Sequence, residues 1–363
     1  MKIAFYGSSL LSSYWNGAAT YYRGILSALS ARGYDITFYE PDAFGRQQHR
    51  DIDPPDWAES IVYEASAEGL QSVLAEAGEA DIVVKASGVG VFDQELAEGI
   101  LREARPGALR IFWDVDAAAT LEEMRGAADH PLRAILPQFD AVLTYGGGPP
   151  VIRAYEALGA ARCVPIYNAL DPATHHPVPP DSAFACDLGF LANRLPDREA
   201  RVEEFFLKPA ALLPARSFMI GGNGWQDKAM PANVRAIGHV GTAQHNAFNC
   251  TPLSVLNVAR NSMAEIGFSP ATRVFEAAGA GACLITDAWE GIEMFLQPDV
   301  EVLVARDGQD VAEHLGALTR ERAQQIGQAA LRRVLAEHTY DRRAAEADQI
   351  FRELKAATAE ATI

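Results

Sequence analysis

Two doubly wound α/β domains in series, facing a central cleft, are the architecture that this 363-residue sequence predicts. Three observations point to it. Short apolar runs alternate with stretches of helical spacing, a proline-rich segment breaks the alternation near its middle, and the same alternation then resumes. In the first half, apolar runs at residues 3–7, 35–40, 81–86, 109–114, 140–145 and 163–167 read as strands. Amphipathic stretches at 18–32, 92–105 and 149–158 read as the helices between them. Near-continuous apolar strands are what a parallel sheet covered on both faces requires.

Residues 168–180 carry four prolines in thirteen positions, too many for a helix or an inner strand. The sequence therefore predicts a first domain over 1–168, a linker over 169–180 and a second domain over 181–340. In that second domain, runs at 187–192, 217–221, 236–240, 253–258 and 283–286 read as strands, and helices are expected over 198–207 and from 269 onward. Beyond residue 310 the pattern is helical almost to the end. The last segment, 341–363, is long enough to return and pack on the first domain. Open α/β sheets bind ligands in loops at the carboxyl ends of their strands, so binding residues are expected there.

Acidic residues outnumber basic ones 48 to 31, giving a formal charge of −17. Such a chain repels a phosphate backbone, which argues against nucleic acid as a partner. A small anion can still be held by a few local arginines and backbone amides. Cys163, Cys186, Cys250 and Cys283 are too far apart for a zinc or redox pair and read as reduced thiols. With no signal-like leader and no run of 18 apolar residues, the expected location is the cytoplasm, without a transmembrane segment.

The most informative stretch is Ser269-Pro270-Ala271-Thr272-Arg273-Val274-Phe275-Glu276, followed by glycines 279 and 281 and a strand. Ser269 is a suitable N-cap and Pro270 a suitable first helical residue, so a helix is expected to start here with its free amides forming an anion site. Arg273 and Glu276 share one face. A guanidinium there can grip a diphosphate in a forked geometry, and a carboxylate can accept both hydroxyls of a ribose. The plain alternative is an ordinary capped helix with a surface ion pair, against which stand the almost wholly apolar or small flanking residues.

These residues resemble the GT-B glycosyltransferases, and within them the CgeB-like spore maturation group. In the first half the resemblance rests on Tyr6-Gly7-Ser8-Ser9 and on Gly17 to Gly24 leading into Leu29 to Asp35. In the second it rests on Asp187 to Asn193, Leu256 to Arg260, Arg273 to Asp287, and Trp289 to Glu293. It spans essentially the whole chain, with the specificity in the last blocks. It implies two Rossmann-like domains, a nucleoside-diphosphate sugar donor (a UDP-sugar first) bound by the C-terminal one, an acceptor bound by the N-terminal one, and no obligatory cofactor or metal. Glu276 matches the second glutamate of the Glu-x7-Glu pattern, which holds the ribose. Phe268 stands where the first glutamate would be.

Other candidates follow from position. Asn193 and Arg194 close a predicted strand where donor phosphates would approach, and Asn223 and Trp225 sit in a glycine-rich turn where the indole can stack on a base or pack as an anchor. Asn257 ends another strand as a donor contact or a buried structural amide. Ser8, Ser9 and Gly17 follow the first strand as acceptor or cleft residues. Asp114 and Asp116 end an apolar strand as Asp-Val-Asp. Asp114 is the candidate base of an inverting reaction and Asp116 a cleft residue or helix cap. His175, His176, His239 and His245 are given no metal. The reading is a hexosyltransferase-like enzyme acting on a small-molecule, glycan or protein acceptor. A GT-B-fold nucleotide-sugar epimerase and a non-catalytic sugar-nucleotide-binding protein are the alternatives.

Overall fold

The computed structural model describes residues 1–12 and 18–360. Gly17, expected to open the first helix, lies outside the described residues. The chain forms two compact units, Met1–Tyr167 with Tyr340–Ile363, and Asn168–Thr339. Each is an open parallel sheet of Rossmann-like α/β type, the predicted fold class.

The first unit runs β1 (Lys2–Tyr6), α1 (Ala18–Ala31), β2 (Asp35–Asp42), β3 (Glu59–Glu64), α2 (Ala67–Ala75), β4 (Ile82–Ala86), α3 (Asp93–Glu103), β5 (Leu109–Asp114), α4 (Ala117–Gly126), α5 (Pro131–Ile135), β6 (Ala141–Thr144), α6 (Gly148–Ala157) and β7 (Cys163–Pro165). Its strand order is β3-β2-β1-β4-β5-β6-β7, with every pairing parallel. The chain winds outward from β1 to β2 and then returns to place β4 on the other side. The loops after β1 and β4 therefore flank a topological switch point.

The second unit runs β8 (Leu188–Leu191), α7 (Pro196–Val202), α8 (Lys208–Leu212), β9 (Phe218–Gly221), β10 (Val234–Gly238), α9 (His245–Cys250), β11 (Ser254–Asn257), α10 (Asn261–Ile266), α11 (Thr272–Gly279), β12 (Leu284–Asp287), β13 (Leu303–Ala305), α12 (Gly308–Ala317) and α13 (Arg320–Glu337). The order β10-β9-β8-β11-β12-β13 puts its switch point between β8 and β11. The proline-rich stretch is anchored in this unit: Leu170 is buried and its amide donates to the His338 carbonyl at 2.8 Å.

The last helix, α14 (Tyr340–Glu360), belongs to the first unit and lies against α1. Tyr34 Oη donates to Asp348 Oδ1 at 2.7 Å, and Tyr34 and Phe351 meet edge to face. Gly24 on α1 makes the close approach possible, because a Cβ there would overlap the Tyr340 ring. Overpacking of this kind costs about 1–3 kcal/mol. Gly24→Ala is thus expected to lower unfolding stability by roughly that amount in a denaturant titration, and Tyr340→Leu in the same chain should restore part of it. An additive double variant would exclude the contact.

Candidate functional site

The stretch around Ser269 adopts a different start from the one its composition suggests. Gly267 and Phe268 are both left-handed, at φ 74° and 48°, so the backbone cannot be helical there. The Phe268 amide donates to the Glu290 carbonyl at 2.6 Å, and Ser269 Oγ turns back to the Gly267 carbonyl at 2.9 Å. Ser269 is consequently not the N-cap and Pro270 not the first helical residue. The helix begins at Thr272 with Ala271 as cap and no side chain on its free amides. Pro270 is buried, and its carbonyl accepts from Asn168 Nδ2 at 3.0 Å, which ties the helix start down.

An uncapped helix start favours an anion through its unpaired amides and its dipole. The side chains gathered beside it add charge of the right sign. Arg273 makes no hydrogen bond or ion pair with any described residue; burial lowers its pKa and only Glu276 opposes the shift. Arg198, from the first turn of α7, donates to the Asn193 carbonyl at 2.8 Å, while its Nε is buried without a partner. Its pKa is pulled down to about 10, by burial first and then by the like charge of Arg273, with Arg260 adding to it. Burial also lowers the His245 imidazole, with Glu276 opposing and Arg273 assisting. The Glu276 carboxylate makes no hydrogen bond or ion pair among the described residues. A guanidinium depressed by the charge of its neighbour, with no carboxylate hydrogen-bonded to either, forms a place that an anion would relieve.

The neighbouring loops are built to hold this arrangement. Asn193 Oδ1 accepts from the Asn223 amide and the Arg194 amide donates to the Asn223 carbonyl, both at 2.9 Å. Asn193 and Asn223 therefore clasp the β8 and β9 loops together. The clasp needs glycine at 222, φ 115°, where a Cβ would overlap the Ala192 carbonyl. Asp287, fully buried at the end of β12, accepts from the Ala259 amide and from Arg201 at 2.5 Å, fixing the β11 loop. Arg260 in that loop pairs with Asp197 at 2.6 Å.

Three residues expected at the donor are directed elsewhere. Arg194 points to Glu199 and Asp227, at 2.6 and 3.0 Å. Trp225 is a core side chain, 2% exposed, whose Nε1 donates to the Ala192 carbonyl at 2.6 Å. Of its two readings the structure has the packed one, since no ring face is open for stacking. Asn257 is buried, with Nδ2 donating to Thr286 Oγ1 at 3.0 Å.

In the first unit the switch point already contains an anion of the chain's own. Glu40, buried at the end of β2, accepts from the amides of Leu10 and Leu11 at 2.5 and 3.3 Å and from Gln47 at 2.6 Å. Ser9 Oγ accepts from the amides of Leu11 and Ser12, and Ser8 is buried, its carbonyl accepting from Arg46 at 2.8 Å. Arg46 also reaches the Val89 carbonyl at 3.0 Å and so joins the loops after β1 and β4. Asp114 has no exposed surface: Oδ1 accepts from Ser87, the Asp116 amide and Thr120, and Oδ2 from Tyr155. Both oxygens being engaged, it is withdrawn as the base. Asp116, two residues further on at the N-cap of α4, lines a cavity beside that helix. Among the described residues no group of three or more His, Cys, Asp or Glu side chains is gathered for a metal ion.

Sequence reasoning passed over Arg198, Arg260 and, as a site residue, His245. The signal for Arg198 was present, because a basic residue in the first turn of a helix opposes the helix dipole and needs another reason to be there. By contrast, Arg194 and Lys228 hold the Glu199 carboxyl down at about 2, against an ordinary 4.5, through their hydrogen bonds. A depressed carboxyl adds stability above its ordinary pKa and loses it as pH falls toward the folded value. A carboxyl NMR titration should therefore place the Glu199 midpoint near 2, and Arg194→Gln should move it back toward 4.5. An ordinary midpoint in the unmodified chain would dissolve the pairing.

Residues 198–349 match a family described as glycosyl transferase-like. Among solved structures, sucrose-phosphate synthase from Thermosynechococcus elongatus is similar at TM-score 0.69 and 14% identity, covering 98% of this chain and 100% of that one. HepE from Anabaena, solved in complex with UDP-glucose, is similar at TM-score 0.67 and 14% identity over 97% and 100% of the two chains. An alpha-glucosyltransferase in complex with UDP-glucose and DNA containing an abasic site reaches TM-score 0.70 at 11% identity, over 96% and 98%. No curated protein sequence matches. The fold of this chain is accordingly that of the GT-B glycosyltransferases, two parallel-sheet Rossmann-like domains, with a glycosyl transferase-like segment over 198–349.

Proposed function

We propose that the chain is a metal-independent glycosyltransferase that moves a hexose from a nucleoside-diphosphate sugar, a UDP-sugar first, to an acceptor held by the N-terminal unit. The observation that carries the reading is the pair Arg198 and Arg273, half-buried near each other without a bound carboxylate, beside the uncapped start of α11. UDP and UDP-glucose in the similar structures named above support the choice of donor. The nearer likeness to CgeB-like enzymes rests on the sequence blocks already described. Four free cysteines favour the cytoplasm, and no described helix is long and apolar enough to cross a membrane.

In the transfer the bond from the anomeric carbon to the diphosphate oxygen breaks and a bond to an acceptor oxygen forms. The leaving diphosphate gains negative charge, and fixed guanidiniums and amides stabilise it without reorganising. Those guanidiniums do the neutralising that a divalent cation does elsewhere, which is the basis for proposing metal independence. Glu276 is free to accept the ribose hydroxyls. An inverting reaction would need a base other than Asp114, whereas a retaining one would need none. No specific observation favours the epimerase or the pure binder.

Thermal unfolding against UDP, UDP-glucose and other nucleotides, with EDTA or Mg²⁺, tests the donor site, because a specific ligand raises the midpoint by mass action. Arg198→Ala and Arg273→Ala are each expected to weaken UDP about tenfold to hundredfold, the worth of a charge-assisted hydrogen bond. Arg194→Ala should cost less than about threefold, since its partners are internal. Absence of any nucleotide shift overturns the reading. Sugar transfer that stops in EDTA and returns with Mg²⁺ overturns metal independence.

A further inference from the structure

The first unit contains a cavity of about 490 Å³, within the usual range for a small-molecule site. Phe112 and Leu132 give it apolar wall, and Gln94, Asp116 and Glu123 supply polar groups. Lys85 lines it as well, although only 3% of that residue is exposed. Its ammonium pairs with Asp93 and lies 5.9 Å from the centre of the Phe112 ring. Asp93 is already shared, accepting from the amides of Val89 and Gly90 at 3.2 and 2.7 Å. Two of the three ammonium hydrogens therefore find no acceptor among the described residues. A buried donor left unfilled is costly, so this one points to an oxygen that arrives from outside.

Charge narrows the choice. The lining sets three carboxylates, Asp93, Asp116 and Glu123, against the Lys85 ammonium and the His130 imidazole; His130 lies 4.0 Å from Glu123, whose side chain is 71% exposed, so the carboxylates still outnumber the basic groups. We infer that the cavity binds a carbohydrate residue bearing no acidic group, as the acceptor; this rests on the reading of the chain as a glycosyltransferase. A sugar ring can set its C–H face on Pro131 and Ile135, which line the cavity with more surface open than Phe112 or Leu132, accept from Lys85 and Gln94 through hydroxyl oxygens, and donate to Asp116 and Glu123. A phosphorylated or carboxylated sugar has the same ring but brings a charge of the wrong sign, and the carboxylates select against it.

The test is binding of three probes to the full chain without nucleotide, by saturation-transfer NMR at low salt: glucosamine, methyl glucoside and glucose 6-phosphate. The expected order is glucosamine first, then methyl glucoside, with glucose 6-phosphate about tenfold weaker or more, and the gap should shrink with added salt. Asp116→Asn with Glu123→Gln should bring the three together. Ala119→Trp, or Gln94→Trp if the first fails to fold, should abolish all three while leaving the UDP-induced thermal shift in place. Glucose 6-phosphate binding as well as glucosamine, binding that survives the filled cavity, or no sugar binding at all would each overturn the inference. Loss of the UDP response alone would instead strike the donor reading.

Discussion

The function proposed for this molecule turns on which charge sits at each switch point. A loop of backbone amides at the carboxyl edge of a parallel sheet must find an acceptor, and it can take one from the chain or from a ligand. In the first unit the acceptor is Glu40, which takes the amides of Leu10 and Leu11. In the second unit the loop after β8 brings Arg198 instead, and α11 begins without a cap. The two units share the open parallel-sheet architecture and differ in this charge at the switch point. That difference is what favours the second unit for the diphosphate in the function proposed above.

Holding two guanidiniums close together without their anion is unfavourable, so the frame around them must be stiff. The stiffness has identifiable sources. Asp287 is buried and clamps the β11 loop from below through Ala259 and Arg201. Asn193 and Asn223 lock the β8 loop to the β9 loop, and Trp225 pins the turn to the core through Ala192. Asn193, Asn223 and Trp225, which the sequence placed at the donor, thus hold the loops of this unit together. Such support is what keeps a charged site in position before its ligand arrives.

The fold was legible because parallel strands buried on both faces write themselves as apolar runs, and those at 35–40, 81–86 and 109–114 lie within two residues of β2, β4 and β5. β3 was not legible. It is the edge strand of its sheet, and Glu59–Glu64 carries polar residues at both ends and little burial between them. Within the site, Arg273 and Glu276 could be read because helical spacing puts charges three apart on one face. Arg198 carried a signal of its own, as a basic residue in the first turn of a helix, but its nearness to Arg273, like that of His245, comes only from the fold. Asp114 misled for a related reason: Asp-Val-Asp at a strand end has the look of a ligand set, but its first carboxylate had Ser87, Thr120 and Tyr155 waiting from three other segments.

The late start of α11 is the clearest case of tertiary structure overriding a local signal. Ser-Pro should open a helix at 269, and in isolation the serine would cap it. The chain instead spends 267 and 268 in the left-handed region, a conformation that is costly for phenylalanine and persists only where its surroundings impose it. The surroundings here are the Glu290 carbonyl, which takes the Phe268 amide, and Gly291, whose missing Cβ makes room for the Phe268 ring. The consequence is that Ser269 spends its hydroxyl on Gly267, and Ala271 offers the helix no side-chain cap. A helix start capped by serine would satisfy its own amides and weaken any anion site it formed. Moving the start to Thr272 leaves those amides open beside Arg273, so the strain at Phe268 and the charge of the site are two parts of one arrangement.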